Sequence, residues 1–571
     1  MASFGGRATS ESSPRSLGHK ITPGTSLLLL GFFSTLLYFP GLGELNIPTN
    51  FDEYLYASIS HAMRAAGQWL TPIGQDGNPL FFKPPATYWQ AIGGLAWVEN
   101  SLRGVHSSLV PVQVLSVLGV YGCLRLMSVS RWTPFLGSWA FAVSNASFKL
   151  TRNLIMENLL TLWMVATVGL FLLWQRSGKI KWLWINAGLA GVACLIKGII
   201  ALPMFGLFLV AFLSVYGQNI RKWISASGLH LIGALVTATV IGFVWPLIMV
   251  YLHGWPFVEF HFLQEHFGKF HEQPNSWGRI FSGYVLYTLP FTPWVLGAAA
   301  HAMSQAWSRI WRSPRPVLFL WIGLILNTLM YLMFFRRAMN YVLPFIPVVF
   351  LITAVCWEEV WATKKFSRTL AVGGLLACVF INLGFMLVSV GFWGDSSLKV
   401  WALLIATLVL AGVGSSLLYL KTSPALVYLT LFTLEMPTLW SLALPLVVKP
   451  NIQWNTRLLN PEVPVCMIDR QGSYERLLLT SRFLPHPLHV GEDIPFLKGC
   501  LDRGWAVLGQ GDLQNQALQS LLPPTYEVAQ KWLTLPKDPH WEFKELFRFA
   551  ELKRSSMECR VYAPSAAIRR E

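Results

Sequence analysis

Apolar runs recur along most of this 571-residue chain, and the short polar breaks between them hold much of its charge. The runs fall near 21–42, 109–128, 133–150, 156–175, 182–197, 199–217, 226–252, 280–303, 317–335, 341–361, 369–392, 399–420 and 424–447. At ~1.5 Å per residue, about twenty helical residues cross the hydrocarbon core of a bilayer. The pattern therefore predicts a mainly α, polytopic membrane protein with about 13 transmembrane helices. Ala86–Trp97 is also apolar, but it is short, contains Gln90 and runs into Glu99. Residues 448–571 change character: they are polar and Pro-rich, with no long apolar run. There Val463–Ile468 and Trp505–Gly509 read as strands, and Leu497–Arg503 and Leu513–Leu522 as helical. That alternation predicts a small C-terminal α/β domain outside the membrane.

Composition agrees with the membrane reading: 54% of residues are hydrophobic and only 13% are charged. A net charge of +16 would suit nucleic acid, but the Lys and Arg are scattered singly among apolar spans, as cytoplasmic loops are. Residues 1–20 carry Arg7, Arg15 and Lys20 against one acid, Glu11, and predict a cytoplasmic segment before an uncleaved anchor. Thirteen crossings then place Arg125 and Arg131, Arg176, Lys179 and Lys181, Arg221 and Lys222, Arg309, Arg312 and Arg315, Lys364, Lys365 and Arg368, and Lys421 inside. A crossing by Ala86–Trp97 would move all of these outside, against the positive-inside bias, so that stretch is expected to lie in the outer interface. The resulting division is a membrane domain over 21–447, with an external loop at 43–108, and an external domain over 448–571. Four of the seven cysteines, Cys123, Cys194, Cys356 and Cys378, lie in apolar runs. Cys466, Cys500 and Cys559 lie in the tail and permit one disulfide without requiring it.

Charges that the topology does not use gather on the outer side. Asp52, Glu53 and Lys83 occupy the first external loop, and Arg152 and Glu157 flank the start of the fourth span. Lys197 ends the fifth span, and Arg336 and Arg337 precede Tyr341. Snorkelling explains any one charge at a span end, but their common side is what an anionic lipid-linked substrate needs. Cations would neutralise its phosphate, a carboxylate would take a proton, and the tail would stay in lipid. Glu259, His261, Glu265, His266 and His271 crowd one further external loop. They have the makings of a divalent-metal site, although five-residue His spacing does not share a helical face and a wet amphipathic loop explains them as well.

Several stretches resemble the dolichyl-phosphate-mannose–protein mannosyltransferase superfamily of glycosyltransferase C-type enzymes. They are Phe51-Asp52-Glu53-Tyr54, Gly67-Gln68-Trp69-Leu70-Thr71-Pro72 and Phe82-Lys83-Pro84-Pro85, then Arg152 with Glu157-Asn158-Leu159-Leu160. Leu195-Ile196-Lys197-Gly198, Glu265-His266-Phe267 and Arg337 with Tyr341-Val342-Leu343-Pro344 and Pro347 follow in order. The likeness covers roughly residues 20–450 and is strongest to the bacterial transferases that move 4-amino-4-deoxy-L-arabinose from undecaprenyl phosphate to lipid A. It implies a glycosyltransferase C-type fold in a bacterial inner membrane, with an external, periplasmic active site. It also implies a polyprenyl-phosphate sugar donor, a lipid, glycan or protein acceptor, lipopolysaccharide modification as the closest theme, and inversion by direct attack. By this resemblance Asp52 and Glu157 are the expected catalytic acids. Glu53, Lys83, Arg152, Lys197, Arg337 and Tyr341 are the expected substrate-binding residues. Glu157 stands where the family usually has Asp. Close relatives also have Glu before the Lys of Lys-Pro-Pro, pairing with a loop His at a metal site; Phe82 stands there in this chain, which puts a metal at His266 in question. A lipid-phosphate transporter and a non-catalytic membrane scaffold are the rival functions. The former would show charges or broken helices near mid-membrane, and the latter has no need of Asp52 beside Lys83.

Overall fold

A computed structural model describes residues 22–43, 51–74, 77–98, 102–127, 129–217, 220–267, 276–309, 315–334, 337–361, 364–393, 397–420, 423–447, 463–468, 488–491, 494–510, 512–534 and 557–568. Among these, nine helical stretches are long and apolar enough to cross a membrane. Eight coincide with single predicted spans, and the ninth, Lys181–Tyr216, holds two. At 36 residues it is too long for one crossing. It divides at Gly198, whose φ of 73° is the left-handed conformation glycine adopts without steric cost.

Three predicted spans take another form. The first is a helix of 16 residues, Pro23–Tyr38, started by Thr22, whose hydroxyl accepts from the Thr25 amide. The run at 133–150 is not one helix. Thr133–Ala142 ends, and Ser144 caps a new helix, Asn145–Arg152, by accepting from the Ser147 amide. The run at 280–303 likewise divides into Gly278–Thr288 and Thr292–Arg309, on either side of Pro290, which has no N–H to continue a helix.

The first external loop contains two helices, Phe51–Ala66 and Ala86–Trp97. The second is 12 residues long, about 18 Å, and cannot span a bilayer, in keeping with the interfacial expectation. It is anchored rather than floating. Arg64 Nη1 donates to the Leu95 carbonyl (2.7 Å), Trp89 Nε1 to the Trp69 carbonyl (2.7 Å), and Gln90 Nε2 to Asn158 Oδ1 (2.7 Å). A Cβ on Gly94 would lie 2.1 Å from the Gly104 carbonyl oxygen, so this helix packs directly on the backbone of Leu102–Ser107.

In the tail a five-stranded sheet runs in the order β2-β1-β3-β5-β4. The strands are β1 Val465–Ile468, β2 Leu488–Gly491, β3 Ala506–Gln510, β4 Tyr526–Thr534 and β5 Met557–Pro564. β1 is parallel to β2 and β3, while β5 is antiparallel to β3 and β4. Side chains alternate across it as pleating requires. Cys466, Val507 and Tyr562 meet Leu497, Cys500, Leu501 and Leu518 of the two covering helices, Ile494–Asp502 and Asp512–Gln519. Val465, Met467, Leu508 and Val561 face the other way, into a buried cluster continuous with that of the membrane helices. A Cys466–Cys500 disulfide ties β1 to the first covering helix.

Candidate active site

Three external segments converge on the outer end of the Glu157–Ser177 helix, and one buried carboxylate joins them. Glu53, in the first turn of the Phe51–Ala66 helix, has no solvent exposure. Its Oε1 accepts from His106 Nε2 at 2.7 Å and from the Leu154 amide at 2.9 Å. It therefore pins the Asp52 helix to the chain reversal before Glu157, and holds His106 with its proton on Nε2. Glu53 was expected at a substrate; the geometry gives it the part of a joint. Its neighbour Asp52 is exposed at the same helix start.

The remaining acids are paired with lysines. Glu157 is buried, and its Oε1 accepts from Lys197 Nζ at 2.5 Å. Lys197 also lies 4.4 Å from the centre of the Tyr341 ring, within the Met339–Phe345 turn. Lys83 is ion-paired with Glu265, both four-fifths buried. Glu265 belongs to a wide π-type helix, Val258–Phe267. These acids form one electrostatic neighbourhood. The Tyr56 hydroxyl, in the Asp52 helix, is pushed well above its ordinary pKa first by burial, then by the charges of Asp52, Tyr88, Glu157 and Glu265. Tyr88 is raised by burial and then by Glu265 and Asp52, and its buried hydroxyl has no hydrogen-bond partner. The two rings meet edge to face with centroids 5.9 Å apart.

Sequence reasoning missed a cation in this group. Lys149, on the Asn145–Arg152 helix, is largely buried, and its Nζ reaches Asn153 Oδ1 at 3.4 Å. Burial lowers its pKa, while the charges of Glu53, Glu157 and Asp52 hold it up, in that order of strength. It feels the charges of three carboxylates and, unlike Lys83 and Lys197, forms an ion pair with none of the described acids. Its amphipathic helix was read as the end of an apolar span, so its ammonium was not counted among the charges that the topology leaves over. The break at Ser144 was the feature that would have exposed it.

Two predicted residues stand apart. Arg152 is buried and donates from Nη2 to the Pro40 carbonyl at 2.7 Å and to Ser441 Oγ at 3.4 Å, with its guanidinium 4.8 Å over Phe148. It joins the ends of the first and last membrane helices and contacts none of the described acids. Arg337 is also buried; its Nε donates to the Leu332 carbonyl at 3.1 Å, and its guanidinium lies 5.5 Å over Trp277. Leu332 lines the outer end of an apolar cleft of about 450 Å³ that runs along Phe281, Tyr284, Leu329, Leu324 and Trp321 into the membrane domain.

Two residues considered with the metal expectation are otherwise engaged. Phe82 packs edge to face on Phe260 (4.9 Å) and offers no ligand, and His261 Nδ1 is bonded to the Phe81 carbonyl at 2.8 Å. The side chain of His266, and all of His271, lie outside the described residues. Among those described, no group of three or more His, Cys, Asp or Glu is arranged to hold a metal ion.

Comparison with known proteins bears out the resemblance. The family model for dolichyl-phosphate-mannose-protein mannosyltransferases matches residues 27–258. An undecaprenyl phosphate-α-4-amino-4-deoxy-L-arabinose arabinosyl transferase of Pseudomonas aeruginosa (strain LESB58) is 31% identical over 334 residues, 56% of this chain and 57% of that protein. A protein described as arabinosyl transferase 2, from Proteus mirabilis (strain HI4320), is 26% identical over 364 residues, 62% of this chain and 63% of its own length. The chain thus matches roughly three-fifths of the length of these curated relatives. The crystal structure of ArnT from Cupriavidus metallidurans bound to undecaprenyl phosphate superposes with a TM-score of 0.64 at 17% identity, over 95% of this chain and 98% of that one. The fold is therefore shared along nearly the whole chain, and the chain is an integral membrane protein of that architecture.

Proposed function

We propose that this protein transfers a sugar from a polyprenyl-phosphate donor to a lipid, glycan or protein acceptor at the external face of the membrane, with inversion. What carries the reading is the gathering of Asp52, Glu157 and Glu265 around Tyr56, with Lys83, Lys149 and Lys197 among them. A transporter would need charges along a path across the membrane; here the mixed charges gather at one outer site. Among the described residues Glu435, a buried acid within the Leu426–Leu446 span, stands alone with Asn382, whose Nδ2 donates to it at 3.0 Å. The relatives whose names specify an undecaprenyl-phosphate sugar donor and an arabinosyl transfer support that class of substrate, and a pentosyl or hexosyl group on the same lipid carrier fits the site's chemistry.

In this mechanism the Asp52 carboxylate takes the proton of the acceptor nucleophile as it attacks the anomeric carbon. The bond from that carbon to the phosphate oxygen breaks, its electron pair stays on oxygen, and polyprenyl phosphate departs. Glu157 is neutralised by Lys197, whose ammonium lies over the Tyr341 ring, and the pair shapes the sugar pocket. Lys83 and Arg337 serve the phosphate, and the cleft below Arg337 takes isoprene units of the donor. Arg152 and Glu53 keep the elements in register. Were a divalent ion bound, Glu265, the carboxylate at Lys83, would be the described side chain with the chemistry to hold it.

The test is release of polyprenyl phosphate from a labelled polyprenyl-phosphate sugar by the purified protein in detergent. Loss of a general base costs about 10²–10⁴-fold, so Asp52→Asn is expected to reduce release by at least two orders of magnitude while the thermal midpoint stays at the wild-type value. Undiminished release by that variant removes Asp52 as the base, and no release by the wild type removes the enzyme reading.

A further inference from the structure

We propose that Lys149 joins Lys83 and Arg337 as a further cation at the donor's phosphate as the sugar leaves, a residue assignment that rests on the polyprenyl-phosphate reading above. Every other described lysine of the site is already neutralised: Lys83 by Glu265 and Lys197 by Glu157. Lys149 has three N–H donors and spends one, on a long 3.4 Å bond to a neutral amide oxygen. Its helix is held in place from several sides. Ser144 caps its start, Thr151 Oγ1 donates to the Ser147 carbonyl, Asn158 Nδ2 donates to the Leu150 carbonyl (3.0 Å), and Arg152 closes its end. The ammonium is thus carried on a rigid support, largely out of water, with spare donors.

The surrounding charge explains why such a group would be kept. Burial lowers the Lys149 pKa and the charges of Glu53, Glu157 and Asp52 oppose that lowering, yet none of these acids pairs with it. Glu53 is occupied by His106 and the Leu154 amide, and Glu157 by Lys197. As the anomeric C–O bond breaks, the phosphate passes from a diester monoanion towards a monoester dianion. An ammonium with unspent donors gains most from that change, because a charge-assisted hydrogen bond strengthens with the acceptor's charge. Lys149 takes no part in the proton transfer, and the acceptor's proton goes to Asp52. The unpartnered Tyr88 hydroxyl, which feels Asp52 and Glu265, supplies a further donor on the same floor.

The experiment compares the affinity of the full-length protein in detergent for polyprenyl phosphate and for the uncharged polyprenol of the same chain length. It uses the wild type, Lys149→Met, Lys149→Gln and Lys149→Arg, read by intrinsic tryptophan fluorescence. The wild type is expected to prefer the phosphate. Lys149→Met and Lys149→Gln should lose about tenfold or more of that preference with polyprenol affinity unchanged, and Lys149→Arg should keep most of it. Two results overturn the assignment: an unaltered preference in both neutral variants, or an equal fall in affinity for both lipids, which marks a structural role. A wild type without preference refutes the polyprenyl-phosphate reading itself, and the Lys149 assignment falls with it. That outcome is distinguishable because it appears before any substitution is made.

Discussion

A carboxylate as deeply buried as that of Glu157 is stable only with its counter-charge, and Lys197 at 2.5 Å supplies it. Removing one partner leaves the other as an uncompensated charge in a low-dielectric site, at a cost of about 3–5 kcal/mol. Glu157→Gln is therefore expected to lower the thermal midpoint sharply. Glu157→Gln with Lys197→Met should recover most of that stability but not the transfer activity. A double variant as unstable as the single one would mean that the pair does not act as a unit. This pair was legible in the sequence as two isolated charges at span ends, since each lacks any role in orienting the spans. Lys149 was not legible, because one apolar run hid the break at Ser144 that turns its helix into part of the site. Lys83 was marked by the stiff Pro84-Pro85 behind it, but its partner Glu265 lies 182 residues away. No local pattern could have joined the two.

Between elements, the critical joint is Glu53. Its single oxygen Oε1 holds both His106 and the Leu154 amide, so the helix bearing Asp52 and the turn leading to Glu157 move as one body. Glu53→Gln keeps an acceptor oxygen for those donors, whereas Glu53→Ala leaves two buried N–H groups without a partner, each costing about 1–3 kcal/mol. The alanine variant is expected to be the less stable by several degrees in its thermal midpoint. The glutamine variant should melt near the wild type but turn over more slowly at unchanged KM, since the acids are loosened rather than removed. A rise in KM with unchanged kcat in Glu53→Gln would instead return Glu53 to the substrate-binding role expected from sequence. Element boundaries in the tail show the same limit of local reading. The helices and the strands β1 and β3 were found to within a few residues, because period-2 and helical patterns are short-range. Strands β2, β4 and β5 were missed; β4 is held by its long pairing with β5, a non-local partner.

Over the whole molecule, the positive-inside rule and the disulfide both bear on sidedness. The charge clusters put residues 43–108 and the tail on one side of the membrane, opposite Arg176 and Lys179. Disulfides persist in oxidising compartments, so the Cys466–Cys500 pair fits the external tail that the loop charges predict. The two agree only if an odd number of crossings separates the cytoplasmic start from the tail, which is why treating Ala86–Trp97 as an interfacial helix matters to the entire topology. Gln68, exposed in the first external loop, and Lys179, exposed between two spans, lie on opposite sides under this arrangement. In intact cells a membrane-impermeant thiol reagent is expected to label Gln68→Cys and not Lys179→Cys, each placed in a background with Cys356 and Cys559 replaced. Lys179→Cys should react only after the cells are opened. Labelling of Lys179→Cys in intact cells would invert the topology and put the acids of Asp52 and Glu157 on the cytoplasmic face. It would also set the disulfide in a reducing compartment, where it would not persist.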